Sequence, residues 1–452
     1  MIFVFVLFCC CLLSLSDKLQ CDPMLITKET IMKKLVIFAK GDTNHRHQIR
    51  STIEHSFDTF RKSLTSLMTS LDENIRYMNE YEITSKIDLK KIHDKFRKDV
   101  SLIPSLWEEN EIFLRLLLST DQIDIMYGIT STASSSQLPF QSNFKQVAND
   151  TSSSSTTTTT TTVTNKISSY DSLENILLHL HRDWSDDDCI TTHTSLLLNK
   201  VNEAMKDRKR NDIKVFVPGA ALGRIAIELA SLGYSVEMNE CSPTMITAFN
   251  TIINKLLLSE DEYYYYPYLH ATLNDAWDFS IRNQPKLFPP SNISHLKQWA
   301  RARDGHNLMS LQYGDFVSNY KIHERRAYFD VIVTSFFIDT GNIIEYLDVL
   351  KYILKPGGIW INMGPLHYHS VSTIKYSYNQ ILQITSLLGF QLLNQSHIEG
   401  PYGCNKDINM KPDYYIVPLD VFQLIETEIE NNNDIKNDDN NVDWKSATFS
   451  LI

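Results

Sequence analysis

The segment Ile213-Lys-Val-Phe-Val-Pro-Gly-Ala-Ala-Leu-Gly-Arg224 constrains the fold more than any other stretch of this chain. It reads as a short apolar strand, a glycine turn and a helix start. A second strand, Tyr234-Ser-Val-Glu-Met-Asn-Glu240, follows and ends in a carboxylate. Glycine lacks Cβ, so such a turn lets backbone approach a ligand closely. A carboxylate ending the next strand stands where ribose hydroxyls are bound in doubly wound sheets. Together they predict a nucleoside-binding α/β domain and leave open which nucleoside.

The later chain repeats the pattern. Phe329–Ile338 is nearly continuous apolar sequence, as expected for a parallel strand buried on both faces. A helix over Ile343–Leu354 leads to the turn Lys355-Pro-Gly-Gly358, a strand Ile359–Met363, a helix near Ile374–Leu388 and a terminal apolar stretch, Tyr414–Leu419. Alternating strands and helices predict a mainly parallel sheet. Residues 170–425 form the expected catalytic domain, with a polar loop region from about Thr272 to Leu308.

Upstream, apolar residues at helical spacing (Ile53, Phe57, Phe60, Leu64, Leu67, then Ile92, Phe96, Leu106) predict a helical region within 45–130. Residues 131–169 are mostly Ser and Thr, with Thr156–Thr162 unbroken; such a segment cannot build a core and is expected to be a disordered insertion. Residues 426–452 read as a polar, acidic tail, and 1–20 as an apolar N-terminal segment. That apolar run resembles a signal-peptide core but has no Lys or Arg before it. No cysteine pair has zinc-ligand spacing, so no metal is expected. A net charge of -11 argues against nucleic acid as partner.

The competing readings of the motifs are specific. The turn Gly219-Ala-Ala-Leu-Gly223 lacks a middle glycine, and Ala221 puts a methyl group where a pyrophosphate would need close backbone approach. This disfavours a nicotinamide-dependent dehydrogenase and favours a donor without phosphate. Glu240 is the candidate ribose ligand. Gly314-Asp315-Phe316 offers a carboxylate for an adenine amino group beside an aromatic ring. Each alone has a plain structural alternative; their order along the chain is what carries the reading.

These runs resemble the carnosine N-methyltransferase family. The resemblance rests on Arg182-Asp-Trp-Ser185, Val217-Pro-Gly-Ala220, Leu222-Gly-Arg224, Leu232-Gly-Tyr234, Asn239-Glu240, Gly314-Asp-Phe316, Phe336-Phe-Ile-Asp-Thr340, Ile353-Leu-Lys-Pro-Gly-Gly-Ile-Trp-Ile-Asn362, Gly364-Pro-Leu366 and Tyr368-His369. It runs from about Arg46 to Leu419, broken by the Ser/Thr insertion. It implies an α/β, Rossmann-like class I methyltransferase sheet with an N-terminal helical region, and S-adenosyl-L-methionine as methyl donor. It further implies donor binding by Arg182, Gly219, Glu240, Asp315, Phe316 and Ser335, and a substrate pocket lined by Asp339, His369, Tyr402 and Tyr414. This chain departs from the family at Ala221, where the family has Gly, at His179, where it has Gln, and by one residue missing after Gly341.

The implied reaction methylates the imidazole of β-alanyl-histidine, giving anserine. Neutral imidazole carries a lone pair on only one nitrogen, so the other must be held as N–H. Asp339 is the candidate for that orienting role, with His369 as a polar contact to substrate and proton relay. Methylation of histidine in other peptides or proteins, and a catalytically silent binding module, are the other readings. The expected partner is a small dipeptide, without nucleic acid or stable membrane association; homodimer formation is left open. Because the donor is made inside cells, a cytoplasmic or also nuclear location is expected, with secretion as the alternative the apolar start leaves.

Overall fold

The computed structural model describes residues 35–37, 43–84, 88–119, 121, 123–124, 142–143, 171–186, 188–270, 279–302, 309–369, 372, 374–401 and 414–425. The apolar start, the tail after residue 425 and Tyr402 lie outside the described residues, as does the Ser/Thr insertion except for Ser142 and Asn143. Among the described residues no helix is long and apolar enough to cross a membrane.

Seven strands build the central sheet: β1 (Lys214–Pro218), β2 (Ser235–Glu240), β3 (Met309–Tyr313), β4 (Phe329–Ser335), β5 (Leu354–Met363), β6 (Phe390–Pro401) and β7 (Tyr414–Leu424). Their order is β6-β7-β5-β4-β1-β2-β3. β1 pairs in parallel with both β2 and β4, so the order reverses beside β1, and ligands of open α/β sheets bind at the carboxyl ends of the strands at such a point. β7 alone runs against its neighbours β5 and β6. The expectation of a mainly parallel sheet therefore holds for β1 to β5, with an antiparallel pair closing one edge.

Side chains alternate between two cores, as the strand period of 2 requires. Val215 and Val217 enter one cluster, together with Val331, Val333, Ile359 and Ile361; Phe216, Ile332 and Trp360 enter the other. The first core is covered by α1 (Thr43–Thr84), α2 (Lys90–Leu117), α3 (Leu173–Trp184), α4 (Asp188–Ala204), α5 (Arg224–Ser231) and α6 (Pro243–Thr251), all of which place residues in it or against it. The second is covered by α8 (Phe316–Tyr320), α9 (Ile343–Ile353) and α10 (Tyr378–Leu387); α7 (Ser294–Arg301) returns to the first.

Local signals set the helix starts. The side chains of Ser172, Ser242 and Asp315 each accept a backbone N–H in the first turn of α3, α6 and α8, and Ser377 forms a capping box with Gln380 at α10. The fully buried Asn110 ties α2 to the body, donating to the Tyr266 carbonyl at 2.8 Å and accepting its N–H at 2.7 Å. Ser56 of α1 donates to the Asp171 carbonyl at 2.9 Å, just before α3.

Several elements depart from the sequence reading. The Lys355-Pro-Gly-Gly358 turn is absorbed into β5 as an irregularity: Phe329 pairs with Leu354, but Val331 pairs with Ile359. The strand expected to reach Ile338 stops at Ser335, because Phe336 takes a left-handed backbone (φ 52) and turns the chain off the sheet. The stretch read as a polar loop contains α7 and a short strand Lys286–Phe288, paired with Tyr263–Tyr265.

One buried acid makes a pH-dependent prediction. Asp420 of β7 is 1% exposed and accepts the Tyr378 hydroxyl at 2.6 Å, and burial pushes its carboxyl up to about 6. A carboxyl raised on folding keeps its proton in the folded state when the unfolded chain has lost it. Stability is therefore greatest below the ordinary carboxylate range and falls as pH rises to about 6. Asp420→Asn removes that cost, so at pH 7.5 the variant is expected to be more stable by about 2 kcal/mol. Thermal unfolding across pH 4 to 8 checks this; a variant no more stable than wild type at high pH contradicts it.

Candidate active site

The carboxyl ends of β1, β2, β3, β4 and β5 lie on one edge of the sheet, and the chain leaves each of them through a residue singled out in the sequence. Gly219 follows β1, Glu240 ends β2, Gly314-Asp315 follows β3, Ser335 ends β4 with Asp339 just beyond, and Gly364 to His369 follow β5. Arg182 joins them from the last turn of α3.

A shallow cleft opens over the glycine turn. Arg182, Asp183, Gly219, Ala220, Arg224 and Ser335 are among the residues that line it. Gly219 has a left-handed backbone (φ +60), and a Cβ there would lie 2.3 Å from Cδ2 of Phe337. Only glycine fits. Gly223 (φ +73) is equally constrained, by Phe249 at 2.4 Å.

Ala221 is also left-handed (φ 47), a conformation that costs an L-residue about 1 kcal/mol. Its methyl packs in the main core, and Ala220 rather than Ala221 lines the cleft. The methyl therefore does not stand in the way of a ligand, contrary to the sequence reading. What holds Ala221 is its N–H, which donates to Oε2 of Glu240 at 2.9 Å.

Glu240 is 8% exposed, and burial pushes its carboxyl up although backbone N–H groups hold it. Oε1 accepts from the Cys241 and Ser242 N–H groups at 2.8 and 2.9 Å and Oε2 from Ala221 at 2.9 Å, and the Cys241 thiol also hydrogen-bonds the carboxylate. A carboxylate oxygen has two acceptor sites, so Oε2 retains capacity for a hydroxyl donor. The Glu240 carbonyl accepts the Gly314 N–H at 3.0 Å, which fixes the β3 end beside the β2 end.

Asp315 is exposed and caps α8, accepting the Ser318 N–H and hydroxyl at 2.8 Å each. Phe316 is 3% exposed. Its ring stacks near Phe216 and meets Phe337 and Tyr346 edge to face at 5.4 and 5.3 Å. It is thus a member of the second core, the plain structural alternative for this tripeptide.

Arg182 donates from Nε and Nη2 to the two carboxylate oxygens of Asp183 at 2.6 and 2.8 Å, and its guanidinium lies 5.7 Å over the Phe336 ring. His179, one turn earlier, donates Nδ1–H to the Asn175 carbonyl; burial first and the Arg182 charge second push it down to about 4, so it is neutral at physiological pH.

Asp339 is 3% exposed. Its Oδ2 accepts the His367 N–H at 2.6 Å and the Tyr368 N–H at 3.3 Å, and its carbonyl accepts the His369 N–H at 3.2 Å and the Ser372 hydroxyl at 3.1 Å. Asp339 and His369 are thereby brought together, and Asp339 anchors His367 to His369 after β5. Oδ1 receives no hydrogen bond among the described residues. Tyr414 opens β7 opposite Pro401, while Tyr402 lies outside the described residues.

A contrast at the opposite edge helps to separate structural from available carboxylates. Asp330, near the start of β4, accepts from Arg208, Lys355 and the Lys214 N–H at 2.8 to 2.9 Å; burial raises its carboxyl, and these partners outweigh burial and hold it low. Its charge is met by two cations, whereas backbone N–H groups hold the carboxylates of Glu240 and Asp339. The residues missed at sequence level are Asp183, Phe337 and Arg224. Arg182-Asp-Trp-Ser185 and Leu222-Gly-Arg224 contain two of them, but the runs gave no sign that the two touch.

The chain is similar to several known proteins. The carnosine N-methyltransferase of Mus musculus is 35% identical over 260 residues, spanning 54% of this chain and 61% of the mouse protein. That of Schizosaccharomyces pombe is 30% identical over 280 residues, spanning 56% and 72%. This chain thus covers less than two thirds of the mouse protein's length. Among solved structures, magnesium protoporphyrin IX methyltransferase from Synechocystis PCC 6803 is 11% identical at a TM-score of 0.31, covering 52% of this chain and 81% of that one. The model of the family described as carnosine N-methyltransferase matches residues 159–423. That span is more than half the chain and takes in the carboxyl ends of β1 to β5, so this chain belongs to the carnosine N-methyltransferase family.

Proposed function

We propose that this chain methylates the imidazole of carnosine (β-alanyl-histidine), giving anserine, with S-adenosyl-L-methionine as donor. The observation that carries the reading is Asp339: a buried carboxylate past the end of β4, with one oxygen locked by two backbone N–H groups and the other open. An acceptor of that kind, fixed and partly desolvated, suits a neutral imidazole N–H. Accepting that proton's hydrogen bond holds the tautomer whose other nitrogen bears the lone pair. The same carboxylate lowers the energy of the cationic ring formed on methylation, and its rigid mounting means little reorganisation is needed.

The remaining residues fit the donor. S-adenosyl-L-methionine supplies a methyl group already activated by its sulfonium. Glu240, with an acceptor site left on Oε2, suits ribose hydroxyls. Asp315 at the β3 end suits the adenine amino group, with Phe316 behind it. Gly219 keeps the turn low beneath the donor, Ser335 adds a hydroxyl to the cleft wall, and Arg182 suits the amino-acid carboxylate. His369, tied to the Asp339 carbonyl through its N–H, suits a polar contact to the dipeptide, and Tyr402 and Tyr414 are proposed as further substrate contacts. A donor made inside cells supports an intracellular site of action. Titration of the protein with S-adenosyl-L-methionine and with NAD tests the donor assignment: binding of the first and not the second is expected, and the reverse overturns it.

A further inference from the structure

We propose that Arg224 is a positioning residue for the methyl donor, acting through Arg182; this rests on the donor reading given above. Arg224 is the first residue of α5, and its side chain is 7% exposed. A cation is disfavoured at a helix N-terminus, and burying it costs more still, so helix stability does not explain it. Its contacts do. Nε donates to Glu228 Oε1 at 2.9 Å, while the other Glu228 oxygen meets His295 Nε2 at 2.8 Å. Nη1 donates to the Asp183 carbonyl at 3.2 Å, and the guanidinium lies 5.1 Å over the Trp184 ring.

The contact runs both ways. Trp184 Nε1, from α3, donates to the Leu222 carbonyl of the glycine turn at 3.1 Å. Arg224, just past that turn, holds the Asp183 carbonyl at the end of α3. Asp183 then carries both halves of the linkage: its main chain is held by Arg224, and its carboxylate grips Arg182. The end of α3 and the glycine turn both line the cleft, so this latch ties the Arg182 side of the cleft to the Gly219 side. Lysine cannot replace the arginine, because a single ammonium nitrogen lacks the rigid fork by which Nε and Nη1 reach Glu228 and the Asp183 carbonyl at once.

The test is a double-variant cycle read by calorimetric titration with S-adenosyl-L-methionine. Arg224→Lys is expected to weaken donor binding about tenfold with little change in melting temperature, and in turnover to raise KM for the donor while kcat and KM for carnosine hold. In an Arg182→Lys background the same change is expected to cost no more than about twofold further, since a residue acting through another adds nothing once that other is gone. If Arg224→Lys does not fold, Trp184→Phe, which removes the indole donor and keeps most of the ring, takes its place in the cycle. Wild-type affinity in the single variant, or losses that multiply in the double variant, overturn the positioning role alone. A wild-type protein that does not take up the donor overturns the donor reading, and this inference with it.

Discussion

Asp339→Asn is expected to lower kcat for carnosine methylation by about 10²-fold or more while leaving affinity for S-adenosyl-L-methionine within about twofold. The reason lies in how the side chain is mounted. His367 and Tyr368 present N–H groups to Oδ2, so an asparagine orients its carbonyl oxygen toward them and its NH2 toward the position of the open oxygen. The loop after β5 keeps its anchor and the fold is retained. What changes is polarity: a donor now faces the imidazole N–H, disfavouring the reactive tautomer and leaving the cationic product without its counter-charge. Alanine is the poorer test, because it strands two backbone donors and confounds catalysis with loop stability. Single-turnover measurement under saturating donor separates the chemical step from binding. Unchanged turnover in the asparagine variant eliminates the orienting role.

Gly219→Ala is expected to act on stability and donor binding together. The residue must adopt φ +60, and its new Cβ would lie 2.3 Å from Phe337. That ring cannot give way freely, since it is stacked on Tyr346 at 4.8 Å and meets Phe316 edge to face. Left-handed strain and overpacking together are expected to cost about 2–4 kcal/mol. The relief available is to lift the turn, which raises the floor of the cleft, so donor affinity is expected to fall at least about tenfold as well. Chemical denaturation and donor titration on the same preparation check both; a variant with wild-type stability contradicts the packing account.

How much of this was legible beforehand depended on whether a residue's role is local or depends on what folds against it. The strand, turn and carboxylate of β1 and β2 were readable because glycine in a turn and alternating apolar residues are local physics, whereas Asp339 was singled out through the family resemblance. Edge strand β6 was not. Gln391, Asn394 and Gln395 are exposed along it, and Leu392 and Leu393 are also solvent-facing at 39% and 49%, so no period of 2 survives. Likewise β3 is only Met309-Ser-Leu-Gln-Tyr313, too short to stand out from the loop before it. The methyl of Ala221 was misjudged because its direction depends on a positive φ that alanine seldom adopts. The linkage of Asp183 to Arg224 joins residues 41 positions apart, which only the folded chain brings into contact.

The central claim is that a fixed carboxylate selects one imidazole nitrogen for methylation. The most direct measurement incubates the protein with carnosine and S-adenosyl-L-methionine and identifies the product by ring position. Anserine, methylated at the nitrogen nearest the side-chain stem, is expected from wild type and is lost in Asp339→Asn. Methylation at the far nitrogen, or at both, would contradict the orienting role, and no methylation of carnosine beside methylation of histidine in longer peptides would contradict the proposed substrate.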